Sequence, residues 1–421
     1  MRTDTVQSLR WLGARWSSLF FAGASAAELG FYRVLFYGYI LYFFALRIDI
    51  SRWAEVSDVF WSPTSLFRLF HLPVLSATGL AVVLWAWRLS LALALVGLFT
   101  RVSTLAALVL GFYVIGLPQN FGKVNHNDAI IVIGLAIFAF SRCGDAWSLD
   151  GLRRARPRAG GSYSWPVELY RLMLALVLFS AGVAKLSGAG PVAWVLSNNL
   201  YYTILAHHYT HSPSSIGLLL TRYPWTCQLL AGSALTLELA APLLALLTVR
   251  WRTLLAAGMV AMMLGFWQML GVFFRDFVAL LVIFFFPWRQ AGAWLAAGSG
   301  SPRLAVLYDG SCGLCNRTIA VLRALDLLAR VEVLDALADW PRVSVRWPAL
   351  DQSACLEDMH VITDHGRVHV GFYGYRALAW HLPLGWLFLP ILHTPGVPAI
   401  GRRVYSYVAR RRHRTGCVLP S

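Results

Sequence analysis
Lysine can give up its proton in an apolar setting whereas arginine stays charged, and the chain holds only two lysines, Lys123 and Lys185, among 36 Lys+Arg residues. Lys185 stands at the end of the apolar stretch 169–186, at or inside a membrane boundary. Two readings of it stand open. Its stem lies along a helix while the ammonium reaches the headgroups, or it is a proton acceptor held in an apolar pocket. A second reactive candidate is the run Asp309-Gly310-Ser311-Cys312-Gly313-Leu314-Cys315. There an apolar strand enters CxxC just before a helix. A helix N-terminus stabilises a thiolate on the first cysteine, Cys312, which makes it the nucleophile and Cys315 the resolving thiol. Half of a zinc site and a redox-inert copy of the fold are the alternatives, although Cys355 and Cys417 supply no second CxxC.

The elements that must carry these groups fall into two kinds. Residues are 58% hydrophobic and only 13% charged, with mean hydropathy +0.60, whereas soluble chains carry about a quarter charged residues. Apolar runs long enough to span a bilayer are read at 29–46, 74–99, 102–117, 127–141, 167–186, 227–249, 253–270 and 273–288. Trp53, Trp61, Trp147, Trp165, Trp251 and Trp288 stand at their ends, as interfacial belts require. The first eighteen residues lack the apolar core of a cleavable signal peptide.

The net charge of +16 is spread in a way that excludes nucleic acid as a partner. Arg2, Arg10, Arg15, Arg101, the cluster Arg153-Arg154-Arg156-Arg158 and the pair Arg250/Arg252 all fall on one side of an eight-span arrangement. That bias marks the cytoplasmic side of a plasma (inner) membrane. The basic tail 404–414 suits anionic lipid headgroups. Lys123 reads as an interfacial anchor.

This topology puts Asn125 and His126, at the start of the fourth span, on the same outer face as Lys185 and at similar depth. Glu238 lies mid-span in the sixth, where a carboxylate is costly unless paired or protonated; a structural acid and a functional one both remain open. His207, His208 and His211 fall in an outer loop over 207–225 with no nearby acid or cysteine. Interfacial histidines are preferred there over a metal site, and no metal is expected.

A small-residue linker at 291–302 separates a membrane domain, 1–290, from a second domain, 303–421. Strands are expected at 303–308, 331–334, 359–363 and 368–370, with a helix over 316–328 and another from Tyr373. The expected architecture is a multi-span α-helical membrane bundle, about eight helices, with a C-terminal α/β thioredoxin-like domain. Following an even number of spans, that domain is cytoplasmic, where CxxC rests as a dithiol.

The run NHNDAIIVIGLAIFAFSRCGDAWSLDG from Asn125, LFSAGVAKL from Leu178 and AWV from Ala193 together resemble the membrane region of vitamin K-dependent γ-glutamyl carboxylase. They equally resemble its bacterial relatives, the HTTM (horizontally transferred transmembrane) proteins. The likeness runs over roughly 27–288, most specifically at Trp147–Gly151 and Ala181–Lys185. It implies that Lys185 deprotonates a reduced quinone of the vitamin K or menaquinol type and that His126 serves the same chemistry. Asn125, Glu238 and Trp194 would support them. In that family, oxygen is consumed, a glutamate γ-carbon loses a proton, CO2 adds and the quinone leaves as its epoxide.

The family's large peptide-gripping region has no counterpart here, which argues against peptide carboxylation and leaves quinol-dependent chemistry on some other substrate open, with a peptide or protein substrate as what the resemblance implies. Residues 304–414 are similar to the DCC family of thiol–disulfide oxidoreductase-like domains, named for Asp309, Cys312 and Cys315. Met359 stands where thioredoxins place a cis-proline. The fusion suggests that the thiols supply electrons for quinone or epoxide reduction. Two other classes remain: a membrane-tethered thiol–disulfide oxidoreductase without quinol chemistry, and a non-catalytic maturation scaffold for a secreted peptide.

Overall fold
A computed structural model describes residues 17, 20, 21, 23–122, 126–151, 161–211, 216–288, 290, 291, 304–326, 330–382 and 389–412. Asn125, Lys123, Arg303 and linker residues 292–302 lie outside the described residues. The chain divides into two units, Met1–Phe286 and Pro287–Ser421.

In the first unit, α1 (Ala26–Tyr39) runs on into a π-helix, Ile40–Ala45. It is followed by α2 (Ala77–Val96), α3 (Thr100–Gly116), α4 (Ala129–Phe140) and α5 (Trp165–Ala189). Three shorter helices come next: α6 (Pro191–Leu196), α7 (Asn199–His211) and α8 (Ile216–Thr221). The unit ends with α9 (Pro224–Ala240), α10 (Val249–Leu270) and α11 (Arg275–Phe285). Five stretches are long and apolar enough to cross a bilayer: Ala77–Val96, Thr100–Asn120, Trp165–Gly188, Pro224–Ala245 and Val249–Leu270. Each of the other three expected spans is represented by a shorter helix. The segment expected as an outer loop, 207–225, is instead largely helical, in α7 and α8.

Several apolar residues face outward: Val82, Trp85, Leu89, Val102, Val109 and Leu229. Their side chains need hydrocarbon in place of water. Inside, aromatic rings lock the helices together. Phe36 stacks on Phe138 at 4.9 Å, and Tyr170 meets Phe284 at 4.5 Å. Gly134 lets Phe36 through, because a Cβ there would come within 2.4 Å of the Phe36 ring. The π-helix leaves carbonyls misaligned for ordinary helical bonding. Arg88 takes one of them, donating from Nε to Ala45 O at 3.0 Å, and donates from Nη2 to Ile48 O just beyond it at 2.9 Å.

The second unit is built on a four-stranded sheet in the order β2-β1-β3-β4, from β1 (Leu304–Tyr308), β2 (Val331–Asp335), β3 (His360–Thr363) and β4 (Val368–Val370). The β1/β2 pair is parallel and the other two pairs are antiparallel. Strand β1 is buried on both faces: Leu304 and Val306 enter one core, and Ala305 and Leu307 the other, as the two-residue pleat dictates. Helix α12 (Gly313–Leu325) follows β1. It starts three residues earlier than the apolar spacing predicts, so Cys315 lies in its first turn. Two short helices, α13 (Trp340–Arg346) and α14 (Gln352–Glu357), fall between β2 and β3 and leave no sign in the periodicity. After β4 come α15 (Phe372–His381), α16 (Leu389–His393) and α17 (Val397–Arg412).

Candidate functional site
The membrane unit brings together three of the residues singled out above. Lys185 Nζ donates to Glu238 Oε1 at 2.6 Å and to Oε2 at 2.5 Å, and it sits 5.4 Å from the centroid of the Trp194 ring, within cation–π range. The Glu238 side chain is 3% exposed and that of Lys185 23%. Gly182 makes the approach possible. It lies one turn before Lys185 on the face of α5 that meets α9, where a Cβ would stand 3.1 Å from both Glu238 Cβ and Leu239 Cδ2. The motif Ala181–Lys185 is therefore a helix contact: a glycine for close approach, then a lysine for the carboxylate that the approach delivers. A nitrogen whose two N–H groups are taken by one carboxylate keeps one further position, for a proton or a lone pair.

His126 opens a short 3-10 turn, His126–Asp128, one turn before Ile130, whose carbonyl accepts from Tyr170 Oη at 2.9 Å. Beside His126, Asp128 accepts from Gln119 at 3.2 Å, and Asp276 accepts from Tyr39 Oη at 2.5 Å. A cavity of about 230 Å³ is lined there by Phe44, Ile48, Trp53, Ile115 and Asp128 among others. Sequence reasoning missed this centre, since its members come from four separated stretches. The π-helix that supplies Phe44 leaves no compositional signal.

Trp147–Gly151, the other specific motif, serves structure. Asp150 accepts from Phe99 N at 3.0 Å and from Thr100 N and Oγ1 at 2.6 and 2.8 Å, capping α3 where Phe99 has φ +48. Arg33, fully buried, donates to the carbonyls of Cys143 at 2.8 Å and Ala146 at 3.3 Å, and also to Leu95 and Trp147. His207 lies on α7, with Nδ1 2.9 Å from the Leu270 carbonyl. Among the described residues no three His, Cys, Asp or Glu side chains converge as metal ligands.

In the second unit, Asp309 shapes the turn that carries the cysteines. Its Oδ1 accepts from Ser311 N at 2.9 Å and from Ser311 Oγ at 2.6 Å, and its carbonyl accepts from Cys312 N at 3.2 Å. Gly310 is obligatory, because a Cβ would fall 1.9 Å from the Asp335 carboxylate. Asn316 donates to the Gly310 carbonyl at 2.7 Å and pins the loop to α12. Both sulfurs are unbridged thiols. Their exposure differs: Cys312, at the N-cap of α12, is 1% exposed, while Cys315 is partly exposed and lines a cavity of about 140 Å³. Cys355, buried in the core opposite, is held apart from this chemistry, since burial and the nearby Asp351 push its thiol up to about 11.

The sequence profile of the DCC1-like thiol-disulfide oxidoreductase family matches residues 306–418, and that of the HTTM domain matches residues 21–288. No curated protein and no solved structure matches the chain. With the second profile covering well over half its length, the chain belongs to the HTTM family and carries a DCC1-like thiol-disulfide oxidoreductase domain C-terminal to its membrane unit.

Proposed function
We propose that this multi-pass membrane redox protein acts on a reduced quinone, with Lys185 as the base. The observation that carries the reading is the Lys185–Glu238 pair, in which both carboxylate oxygens hold one nitrogen. Two N–H groups fixed by Glu238 aim the remaining position of Nζ, and the carboxylate stabilises the ammonium that forms when Nζ takes a proton. Trp194 closes over the nitrogen and limits water.

The surroundings fit an apolar, acidic-hydroxyl ligand entering from the side. Val183, Val192 and Leu196, around the pair on α5 and α6, are exposed and would face lipid. A reduced quinone, when bound, supplies the electrons for reducing oxygen. A peptide or protein glutamate is the acceptor implied by the family resemblance, and His126 enters the reading through that resemblance alone. The distribution of arginines supports a plasma-membrane orientation with the residue 303–421 domain in the cytoplasm.

The test supplies purified protein with menaquinol, oxygen, bicarbonate and a glutamate-containing peptide, and follows oxygen uptake and quinone epoxide. Lys185→Arg is expected to leave the fold intact and lower the rate by about 10²–10⁴, the usual share of a general base. Wild-type turnover in that variant overturns the reading. The ordered Asp309 turn favours a second reading, a membrane-tethered thiol–disulfide oxidoreductase, in which Cys315→Ser and not Lys185→Arg removes activity.

A further inference from the structure
We infer that the C-terminal dithiol attacks through Cys315 and that its oxidant is a compact apolar ring of the quinone class, not a polypeptide disulfide. Three observations carry this, and none involves Lys185. First, Cys312 is sealed at 1% exposure while Cys315 opens onto the cavity. A thiol without access cannot begin an exchange.

Second, the cavity is lined by Tyr308, Leu314, Met359, Tyr375, Tyr405 and Val408 among others, and among the described residues no charged side chain stands in its wall. Its volume is about 140 Å³, and an apolar cavity of about 150 Å³ takes up a benzene-sized ring. Val408 is itself 41% exposed, so the entrance is apolar as well. Charged thiol peptides would lose solvation there without gaining a partner.

Third, the edge that an extended substrate backbone would pair with is already occupied. Met359 N donates to Tyr405 Oη at 3.1 Å, and the Met359 carbonyl accepts from Gly371 N at 3.0 Å. Gly371 has φ +60, and a Cβ there would meet the Tyr405 ring at 2.9 Å. Helix α17 is therefore seated over the dithiol groove by its own side chain, leaving room for a ring and none for a strand.

The step balances with the quinone as oxidant. The Cys315 thiolate adds to a quinone carbonyl carbon; a C–S bond forms and that oxygen takes a proton. The Cys312 thiolate then attacks Cys315 Sγ. The S–S bond forms, the C–S bond breaks, and its electron pair passes through the ring to the second oxygen, which takes the second proton. Two thiols give one disulfide, and the quinone becomes the hydroquinone.

The experiment uses the full chain in lipid nanodiscs, reduced, freed of reductant and kept without oxygen or bicarbonate, so that failure of the Lys185 chemistry leaves it unaffected. Duroquinone, which has no open ring carbon for arylation, is compared with oxidised glutathione and with a cystine-bridged peptide. Hydroquinone absorbance and thiol loss at Cys312 and Cys315 are measured. Duroquinone is expected to oxidise the pair at least about tenfold faster than either disulfide, and N-ethylmaleimide is expected to label Cys315 at least about tenfold before Cys312. Ala409→Phe, which fills the cavity, is expected to slow duroquinone about tenfold or more while the maleimide order stays the same. Faster oxidation by a disulfide, no oxidation by duroquinone, or earlier labelling of Cys312 in the wild type overturns the inference; none of these depends on the variant folding.

Discussion

Two basic side chains of the membrane unit, Arg33 and Lys185, are built for opposite ends. Arg33 reaches four backbone carbonyls, from Leu95, Cys143, Ala146 and Trp147, and its side-chain hydrogen bonds include no carboxylate among the described residues. Its planar fork spreads a permanent charge over fixed dipoles, tying α1 to the turn that caps α3. Lys185 meets a single carboxylate with both oxygens and keeps part of its surface open. One holds backbone, and the other meets a single carboxylate beside open surface. The use of arginine at the first site and lysine at the second follows from that difference.

Exchanging the two cations is the strongest way to break the contrast. Lys185→Arg is expected to keep the thermal midpoint near that of the wild type while quinol-dependent oxygen uptake falls by about 10²–10⁴. Arg33→Lys is expected to do the reverse. A point charge with three donors cannot span four carbonyls, and losing two charge-assisted bonds costs about 3 kcal/mol. Its readout is a lowered unfolding midpoint in detergent, with the rate per folded molecule kept. If Lys185→Arg unfolds the protein and keeps the rate, the two sites are of one kind.

The Glu238 partner sharpens the same contrast. Glu238→Gln leaves Lys185 facing a neutral amide in an apolar contact, at a cost of about 2–4 kcal/mol, reduced from the fully buried case by the partial exposure of Lys185. Replacing both at once, Lys185→Met with Glu238→Leu, is expected to fall within about 1 kcal/mol of the wild type, because an apolar pair of similar volume removes both desolvation costs. Unfolding midpoints of the two singles and the double measure this. A double variant as damaged as the sum of the singles would mean that the two groups are not coupled, and a double losing well over about 1 kcal/mol would make the pair a net support of the bundle.

Much of this was legible in the residues. Apolar runs found the helices because hydrocarbon imposes a length and a composition. The lysine stood out because it is rare, and Glu238 because a mid-span carboxylate must find a partner. That each is the other's partner was not legible: Lys185 and Glu238 lie 53 residues apart, and only the packing allowed by Gly182 joins them. The unequal exposure of Cys312 and Cys315 was not legible either: the cavity that Cys315 lines includes Tyr405 and Val408 on α17, far along the chain, and local spacing carries no word of them. The motif Trp147–Gly151 shows that a specific pattern can be wholly structural.

That last point carries the smallest prediction. Asp150 gives both carboxylate oxygens to the start of α3, one to Phe99 N and the other to Thr100 N and Oγ1. Asp150→Ala leaves those donors to find water at a partly exposed turn and is expected to cost about 1 kcal/mol, as loss of a helix cap does. Asp150→Asn keeps one acceptor oxygen and is expected to lose less than half as much. The measured quantities are the unfolding midpoint and oxygen uptake per folded molecule. Because the motif holds backbone and touches no reacting group, the midpoint should fall for Asp150→Ala while the rate stays level. A falling rate with an unmoved midpoint would put Asp150 beside Lys185 on the chemical side of the contrast and take it from the side of Arg33.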